Sequence, residues 1–118
     1  MINHDQQYYV GEFDKSLQNG KGKYHWPSGA WQEGNWVNSK LEGLGTYNYK
    51  GGHIYEGHFS EDKKHGPGTM KYKDGQDLTG SWVNNAKEGD FVHTLADGQK
   101  FKETYSKDIL QGKPTKID

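Results

Sequence analysis

The stretch Tyr55-Glu-Gly-His-Phe59, followed by Gly66-Pro-Gly-Thr-Met-Lys-Tyr72, decides the fold of this 118-residue chain. Its glycines and aromatic residues return every 23 residues, and no insertion or deletion disturbs the register between Tyr9 and Gly112. A self-similar period of this length indicates stacked structural units instead of one globular core. Stacked units build long surfaces, which favours a binding role.

Both parts of the repeat alternate as β-strands do. Because successive side chains of a strand point to opposite faces, Tyr55, Gly57 and Phe59 share one face, while Glu56 and His58 share the other. The second part of the repeat places its glycine and aromatic residues on one face in the same way. Each repeat is therefore predicted to form a β-hairpin with one aromatic face and one polar face.

Turn signals join consecutive hairpins. Residue pairs that accept positive φ follow the second strand of each full repeat, namely Ser28-Gly29, Gly51-Gly52, Asp74-Gly75 and Asp97-Gly98. We therefore predict an all-β fold, an elongated single-layer antiparallel β-meander of nine or ten strands built from 23-residue hairpin repeats. At about 4.8 Å per strand, the sheet is expected to be about 45 Å long.

The period also predicts the boundaries of the units. They are an N-terminal segment (1–8), four full repeats (9–31, 32–54, 55–77 and 78–100), a capping half-repeat (101–112) and a C-terminal tail (113–118). The last units depart from the pattern, because Phe91 replaces a glycine and Glu103 stands where a mid-strand glycine is expected. End repeats lack a neighbour and need a different surface. We therefore expect a cap from Phe91 onward, and a tail that forms a loop or docks on a partner.

Mid-strand glycines leave bare backbone on the aromatic face, where a ring can lie flat and the sheet can bend tightly. The glycines expected to act in this way are Gly11, Gly22, Gly34, Gly45, Gly57, Gly68 and Gly80. The rings expected to form a structural ladder from the first strands are Tyr9, Phe13, Trp36, Tyr55, Phe59 and Trp82. Aromatic pairs contribute about 0.5–1.5 kcal/mol beyond burial, which suits a chain in which only 30% of residues are apolar.

Composition argues against several classes of function. The formal net charge is −1 and all fifteen basic residues are lysine, so neither a long-range field nor arginine forks favour nucleic acid. Cysteine is absent from the sequence, which removes disulfides, thiolate metal ligands and thiol nucleophiles. No serine, lysine or carboxylate has a recognisable catalytic context, so we expect a protein that is not an enzyme and has neither cofactor nor metal. Residues 1–7 lack signal-peptide features and no segment reaches transmembrane length, which favours the cytoplasm.

The polar face carries apolar side chains at one offset of the repeat. Tyr8, Trp31 and Ile54 are spaced 23 residues apart. They reflect either a local packing detail or a parity flip at the turn, or they form a second interface or a self-association patch. Both alternatives stay open at this point.

The full pattern, aromatic-x-Gly-x-aromatic, then Gly-x-Gly-x-aromatic, then Asp-Gly, resembles the MORN repeat (membrane occupation and recognition nexus). The best copy begins at Tyr55 and retains the His65-Gly-x-Gly68 element. The resemblance covers about residues 8–112. It implies an elongated, twisted β-meander with one grooved face, and a protein-binding scaffold of the kind found in cilia, flagella and the cortical cytoskeleton.

The resemblance also implies an aromatic groove that holds a peptide or a helix of a partner. Amphipathic rings suit such a groove because they contact a partner and still tolerate water. The candidate groove residues are the second-strand rings Tyr24, Trp26, Tyr47, Tyr49 and Tyr72, for which packing alone is the alternative. By analogy with the family we expect a cytoplasmic, cytoskeletal location in a cilium or flagellum, within a larger protein complex.

A rival function is a peripheral membrane module. In that interpretation, loop lysines contact anionic phospholipid head groups, and the candidates are Lys15, Lys40, Lys63, Lys64 and Lys87. The net charge near zero counts against it, because attraction to an anionic surface needs clustered positive charge.

Overall fold

The computed structural model describes residues 7–15 and 17–117, and it consists of ten strands. Residues 1–6 of the predicted N-terminal segment, Ser16 and Asp118 lie outside the described residues. Each strand pairs antiparallel with its neighbour in sequence, so the order in the sheet is the order in the chain. The molecule is 50 Å long. The prediction of an all-β meander is confirmed. The strands are β1 (Tyr8–Asp14), β2 (Leu17–His25), β3 (Trp31–Val37), β4 (Lys40–Asn48), β5 (Ile54–Ser60), β6 (Lys63–Lys71), β7 (Asp77–Val83), β8 (Ala86–Thr94), β9 (Lys100–Ser106) and β10 (Ile109–Ile117).

Two kinds of turn connect the strands. The turns between repeats are the longer kind, and the second glycine or the only glycine of each pair is the one residue with positive φ. In the turn after the second repeat, for example, the Gly52 N–H donates to the Tyr49 carbonyl. The structure thus has a turn at each predicted pair, but a longer one than the tight hairpin turn expected there, with positive φ at the second residue only. The tight turns lie within the hairpins, where both turn residues have φ between 47° and 74°, as a type I′ turn requires. They are Asn38-Ser39, Glu61-Asp62, Asn84-Asn85 and Lys107-Asp108.

A bulge bends the second strand of each hairpin. In the third repeat the register shifts between Gly57 and Phe59 of β5, and Gly66 of β6 has a φ of 101°. A side chain would strain that conformation, which glycine adopts freely. The bend turns the sheet around its aromatic face, which we call the inner face.

The inner face carries the core, although the described residues form a single layer. Tyr55 and Leu41 are completely shielded from solvent, so the bent sheet itself must cover them. The Tyr55 ring lies over Gly57 and Gly68, where a Cβ atom would overlap it. The core cluster consists of Trp36, Leu41, Tyr55, Phe59, Met70, Leu78, Trp82 and Phe91.

Packing on the inner face repeats every two sequence units. Tyr55 contacts Trp82 edge-to-face with 5.4 Å between ring centroids, and Tyr9 contacts Trp36 in the same way at 5.6 Å. Each indole N–H donates to a glycine carbonyl 14 residues earlier. Tyr55 and Trp82 each lie 46 residues after their counterparts, so the structural period is two repeats.

We call residues 9–54 the N-terminal pair and residues 55–100 the C-terminal pair. The first repeat of each pair supplies a tyrosine that covers the glycines of its own hairpin. The second repeat has a non-aromatic side chain at that position, Gln32 or Leu78, and a residue of its second strand covers a glycine instead. Aromatic and non-aromatic residues thereby alternate from repeat to repeat at this position of the inner face.

The C-terminal end differs from the prediction. Strand β10 continues to Ile117, so the expectation of a loop from Lys113 onward is wrong. Residues 109–117 pair with β9 along most of their length, because backbone groups of an edge strand form hydrogen bonds whatever the side chains are. The fifth unit is therefore a complete hairpin.

Candidate functional site

Four of the predicted groove residues form one continuous stack of rings on the inner face. The ring centroids are 4.8 Å apart between Tyr24 and Trp26, 5.5 Å between Trp26 and Tyr47, and 4.5 Å between Tyr47 and Tyr49. Strands β2 and β4 and the turns that follow them position these side chains. All four are partly exposed, so the stack offers aromatic surface to a partner.

The fifth predicted groove residue lies apart from the stack. Tyr72 contacts His53, with 5.2 Å between ring centroids, and lines a separate cavity of about 210 Å³ towards the C-terminal end. Burial raises the pKa of Tyr47, Tyr49 and Tyr72. Tyrosine hydroxyls are protonated at neutral pH in any case, and the upward shift keeps these three able to donate hydrogen bonds at more alkaline pH as well.

The predicted structural ladder is buried at its centre and exposed at its start. Trp36, Tyr55, Phe59 and Trp82 are buried in the core. Tyr9 is partly exposed, and Phe13 is 59% exposed. Phe13 lies on the first strand, which has no preceding described strand to cover it.

Lys64 lies among aromatic rings and not in an ion pair. Its Nζ atom donates to the Tyr49 hydroxyl at 2.7 Å and lies 4.7 Å from the centroid of the Trp82 ring. Burial lowers the pKa of Lys64, while the Asp108 carboxylate acts in the opposite direction. Among the described residues, no carboxylate lies within salt-bridge distance of Lys64. Lys64 is thus a cation held on the inner face by aromatic rings.

A cleft of about 370 Å³ opens on the inner face beside the ring stack. Tyr24 and Trp26 of the stack form part of its wall. The residues that line it are Gln18, Tyr24, Trp26, Gln32, Trp36, Ser39 and Asp62. We call it the N-terminal cleft, and it joins aromatic surface to side-chain amides and one carboxylate.

The departures in the last units form a polar cluster. His93 Nδ1 lies 2.8 Å from one oxygen of Glu103, and the Tyr105 hydroxyl donates to the other oxygen at 2.6 Å. Burial by itself would raise the pKa of Glu103, but the hydrogen bonds from Tyr105 and His93 lower it below its ordinary value. Phe91 is buried over Gly80. These residues close the inner face at its C-terminal end.

Sequence reasoning missed a set of hydrogen bonds that link successive repeats. Asp62 Oδ1 accepts from the Leu41 N–H at 2.9 Å, and the Asp62 N–H donates to the Leu41 carbonyl at 3.1 Å. The sequence does contain a signal for these bonds, because the second residue of each hairpin turn has a side chain that can accept a hydrogen bond. The same reciprocal arrangement joins Ser39 to Gln18, Asn85 to Lys64 and Asp108 to Lys87.

His65 serves a related purpose. Its Nδ1 atom accepts from the N–H of Asn84 in the next turn at 3.4 Å. Acceptors at the same offset in other repeats are Asn19, Glu42 and Glu88. His65 thus helps to shape the turn of the next repeat.

The opposite, outer face carries the predicted second interface. Tyr8 stacks on His25 with 4.3 Å between ring centroids, and Trp31 lies under the Lys23 ammonium, 4.0 Å from Nζ to the ring centroid. All three members of the predicted strip are partly exposed, and Asn48 separates Trp31 from Ile54.

A shallow cavity of about 720 Å³ lies next to this strip, on the same face. Val10 and Leu44 project into it and are 56% and 68% exposed. It is larger than the N-terminal cleft, but its floor is the bare backbone of Gly22 and Gly34. The inner face has the more specific chemistry.

Two further observations concern metal and membrane. Residues 7–15 and 17–117 contain no group of three or more side chains arranged to hold a metal ion. In the same part of the chain, no helix has the length and apolar character needed to cross a bilayer.

The repeats described above match a known protein family. The family model for the MORN repeat matches residues 9–31, 33–54 and 55–76, more than half of the chain. The chain belongs to the MORN-repeat family. Curated proteins gave no match to it. MORN repeats occur in protein-binding and membrane-associated proteins, and the matched repeats of this MORN protein contain the ring stack and most of the N-terminal cleft.

Proposed function

We propose that this MORN-repeat protein is a non-enzymatic scaffold that holds a peptide or helical segment of a partner protein against its inner face. The observation that carries the proposal is the continuous stack of Tyr24, Trp26, Tyr47 and Tyr49. Fully buried rings serve packing, whereas these four keep exposed surface. Aromatic rings of this kind dominate the binding energy of protein interfaces.

The arrangement of the stack supports a linear ligand. Its four rings come from two hairpins and run across the strands, with neighbouring centroids no more than 5.5 Å apart. A contiguous strip of rings suits a segment that lies along it, such as one face of a helix or alternate side chains of an extended peptide.

The test compares partner recovery by the full chain and by a double variant, Tyr47→Ala and Tyr49→Ala. Truncating an interface ring typically costs more than about 1 kcal/mol, so two truncations should lower recovery at least about tenfold. The matched control is Trp31→Ala, which removes a partly exposed ring from the outer face. Circular dichroism establishes that both variants fold.

The outcomes separate the two faces. Full recovery of the partner by the folded double variant would refute the inner-face proposal. Loss of recovery with Trp31→Ala instead would move the interface to the outer strip. The strip also remains a candidate for self-association, which analytical ultracentrifugation of Trp31→Ala would measure.

We further place the proposed complex in the cytoplasm, in a ciliary, flagellar or other cytoskeletal assembly. The support is the family resemblance alone. A fluorescent fusion expressed from the native locus tests it, and diffuse signal away from cytoskeletal structures would contradict it.

Two lysine contacts count against the membrane alternative. Of the five lysines that this alternative uses, Lys64 lies against the Trp82 ring and Lys87 lies 4.1 Å from the centroid of the Tyr105 ring. Neither points freely to a membrane surface. Flotation with phosphoinositide vesicles tests the alternative, and salt-sensitive binding would favour it.

A further inference from the structure

We infer that the N-terminal cleft binds a basic side chain, lysine or arginine, of the partner segment, between Trp36 and Asp62. This inference rests on the proposed function and specifies the chemistry of the partner at one point of the inner face. The C-terminal pair supports it, because the same positions there hold a cation of the chain itself.

The C-terminal pair shows how this position accommodates a cation. Lys64 extends over the Trp82 ring, with its Nζ atom 4.7 Å from the ring centroid. Burial lowers the pKa of Lys64, and the carboxylate of Asp108, two hairpin turns further along the chain, acts against that effect. An indole face and a carboxylate are both attractive to a cation.

The N-terminal pair has the same frame but no lysine in it. Trp36 and Asp62 lie 46 residues before Trp82 and Asp108, while Gln18 takes the place of Lys64. The frame is conserved in detail, because each indole N–H donates to an equivalent glycine carbonyl and each aspartate Oδ1 accepts from the backbone N–H 21 residues earlier, at 2.9 Å.

The electrostatics of the cleft favour a cation from outside. Asp62 is the one charged side chain among the described residues that line the cleft. One of its oxygens accepts from the Leu41 N–H, which leaves the other to meet a ligand. The three indole and phenol rings of the wall add further attraction for an ammonium or guanidinium group. A partner's acidic side chain would instead be repelled.

Gln32 provides an independent observation. The residue is 3% exposed, yet its side-chain amide makes no hydrogen bond to the described residues. No buried side-chain polar atom of the described residues is both sealed from solvent and without a partner, so the amide must open to the cleft. The amide oxygen is therefore available as an acceptor inside the cleft. A basic side chain supplies N–H donors to that oxygen.

The experiment measures small basic probes against the full chain. Acetyl-arginine amide and acetyl-lysine amide are titrated while the Trp26 and Trp36 indole N–H signals are followed by NMR. Acetyl-citrulline amide is the uncharged control of nearly the same shape as the arginine probe. Both basic probes should shift the two indole signals, and citrulline should bind about fivefold more weakly, as expected for loss of a partly exposed ion pair.

Matched variants locate the effect. Asp62→Asn removes the charge and keeps a side-chain oxygen that accepts from the backbone, just as the Asn85 side-chain oxygen accepts from the Lys64 backbone N–H at 2.8 Å. This variant should weaken binding of the basic probes about fivefold. Asp108→Asn, the equivalent change in the C-terminal pair, should leave probe binding unchanged. Gln18→Lys places the chain's own ammonium in the cleft and should abolish the shifts.

The outcomes are decisive in either direction. Equal binding of citrulline and arginine probes, or probe binding that Asp62→Asn and Gln18→Lys both leave intact, would overturn the inference. If the Tyr47 and Tyr49 double variant loses the partner while Gln18→Lys retains it, the scaffold proposal stands and this inference fails. If the probes bind as expected but the double variant retains the partner, the ring stack is not the partner-binding site, while the cation site is supported.

Discussion

The N-terminal and C-terminal pairs share one framework and differ in what surrounds it. Phe13 and Phe59 occupy the same position 46 residues apart, yet Phe13 is 59% exposed and Phe59 is 4% exposed. The Phe59 ring lies over Gly45 of the preceding hairpin, where an added Cβ would come within 3.2 Å of it, whereas β1 starts the described sheet and has no preceding described strand. The place of a ring in the sheet, and not its residue type, decides how much the ring contributes to stability.

The largest effect should separate these two rings. Phe59→Ala removes a buried ring and is expected to lower the free energy of unfolding by about 3–5 kcal/mol. Phe13→Ala, its matched control, should cost less than about 1 kcal/mol because most of its surface is already in water. Urea denaturation of both variants measures the difference, and equal losses would show that the exposure of Phe13 is not a property of the protein in solution.

A second prediction concerns what covers the glycines. At Gly68 an added Cβ would overlap the Tyr55 ring, whereas at Gly45 it would meet a backbone carbonyl at 2.9 Å, the flexible end of Leu41 at 3.0 Å and the Phe59 ring at 3.2 Å. Gly68→Ala should therefore cost about 3 kcal/mol and Gly45→Ala less, about 1–2 kcal/mol. Thermal unfolding tests the order of the two variants. The reverse order would contradict overlap with the Tyr55 ring as the reason for glycine at Gly68.

The third prediction uses alkaline pH. Burial raises the pKa of Tyr55 to about 12, while an unfolded tyrosine has a pKa of about 10. The resulting contribution to stability is complete below pH about 10 and is lost as the pH rises towards 12. Absorbance at alkaline pH should show a late ionisation step that Tyr55→Phe removes.

Tyr9 is the matched comparison for that experiment. Its hydroxyl donates to the Glu12 carbonyl at 3.0 Å, just as the Tyr55 hydroxyl donates to His58. Burial raises the pKa of Tyr9 as well, but it is partly exposed and Tyr55 is not. Loss of each hydrogen bond should cost about 1 kcal/mol at pH 7. Removal of the late step by Tyr9→Phe instead would invert the comparison.

The smallest expected effect has the opposite sign. Gln32→Leu gives the N-terminal pair the residue that the C-terminal pair has at Leu78. Because the Gln32 amide has no partner among the described residues, replacing it should raise the free energy of unfolding by about 1 kcal/mol. Chemical denaturation measures the gain. A loss of stability would show that the amide is satisfied in the free protein.

Much of this fold could be predicted because each repeat carries the same local signals. The alternation around Tyr55 predicts the strands, and the interval between glycines predicts the meander and its length. The I′ turns were not predicted, because pairs such as Glu61-Asp62 contain no glycine and adopt positive φ only in the finished hairpin. The strand at Lys113 was missed for a similar reason, since pairing with β9 does not depend on a side-chain pattern.

The candidate site was predictable only in part. The rings of the stack could be found from their spacing, but their spacing also included Tyr72, which the structure places in another cavity. The N-terminal cleft joins Gln18, Gln32 and Asp62 from three different repeats. When the sequence is aligned at its 23-residue period, each of these residues is compared with a residue of the adjacent repeat. That comparison hides the 46-residue relation that makes Gln18 the counterpart of Lys64.

The sequence by itself determined the repeat, the strands, the two faces and the family, because all of these depend on local alternation and on glycine at fixed positions. Only the tertiary structure decided which rings are buried, how neighbouring repeats alternate, and where a carboxylate and an indole approach each other. Those properties arise when the bent sheet brings side chains of successive repeats together on one inner face. The bend results from small contributions of several hairpins, and so it is absent from any single repeat.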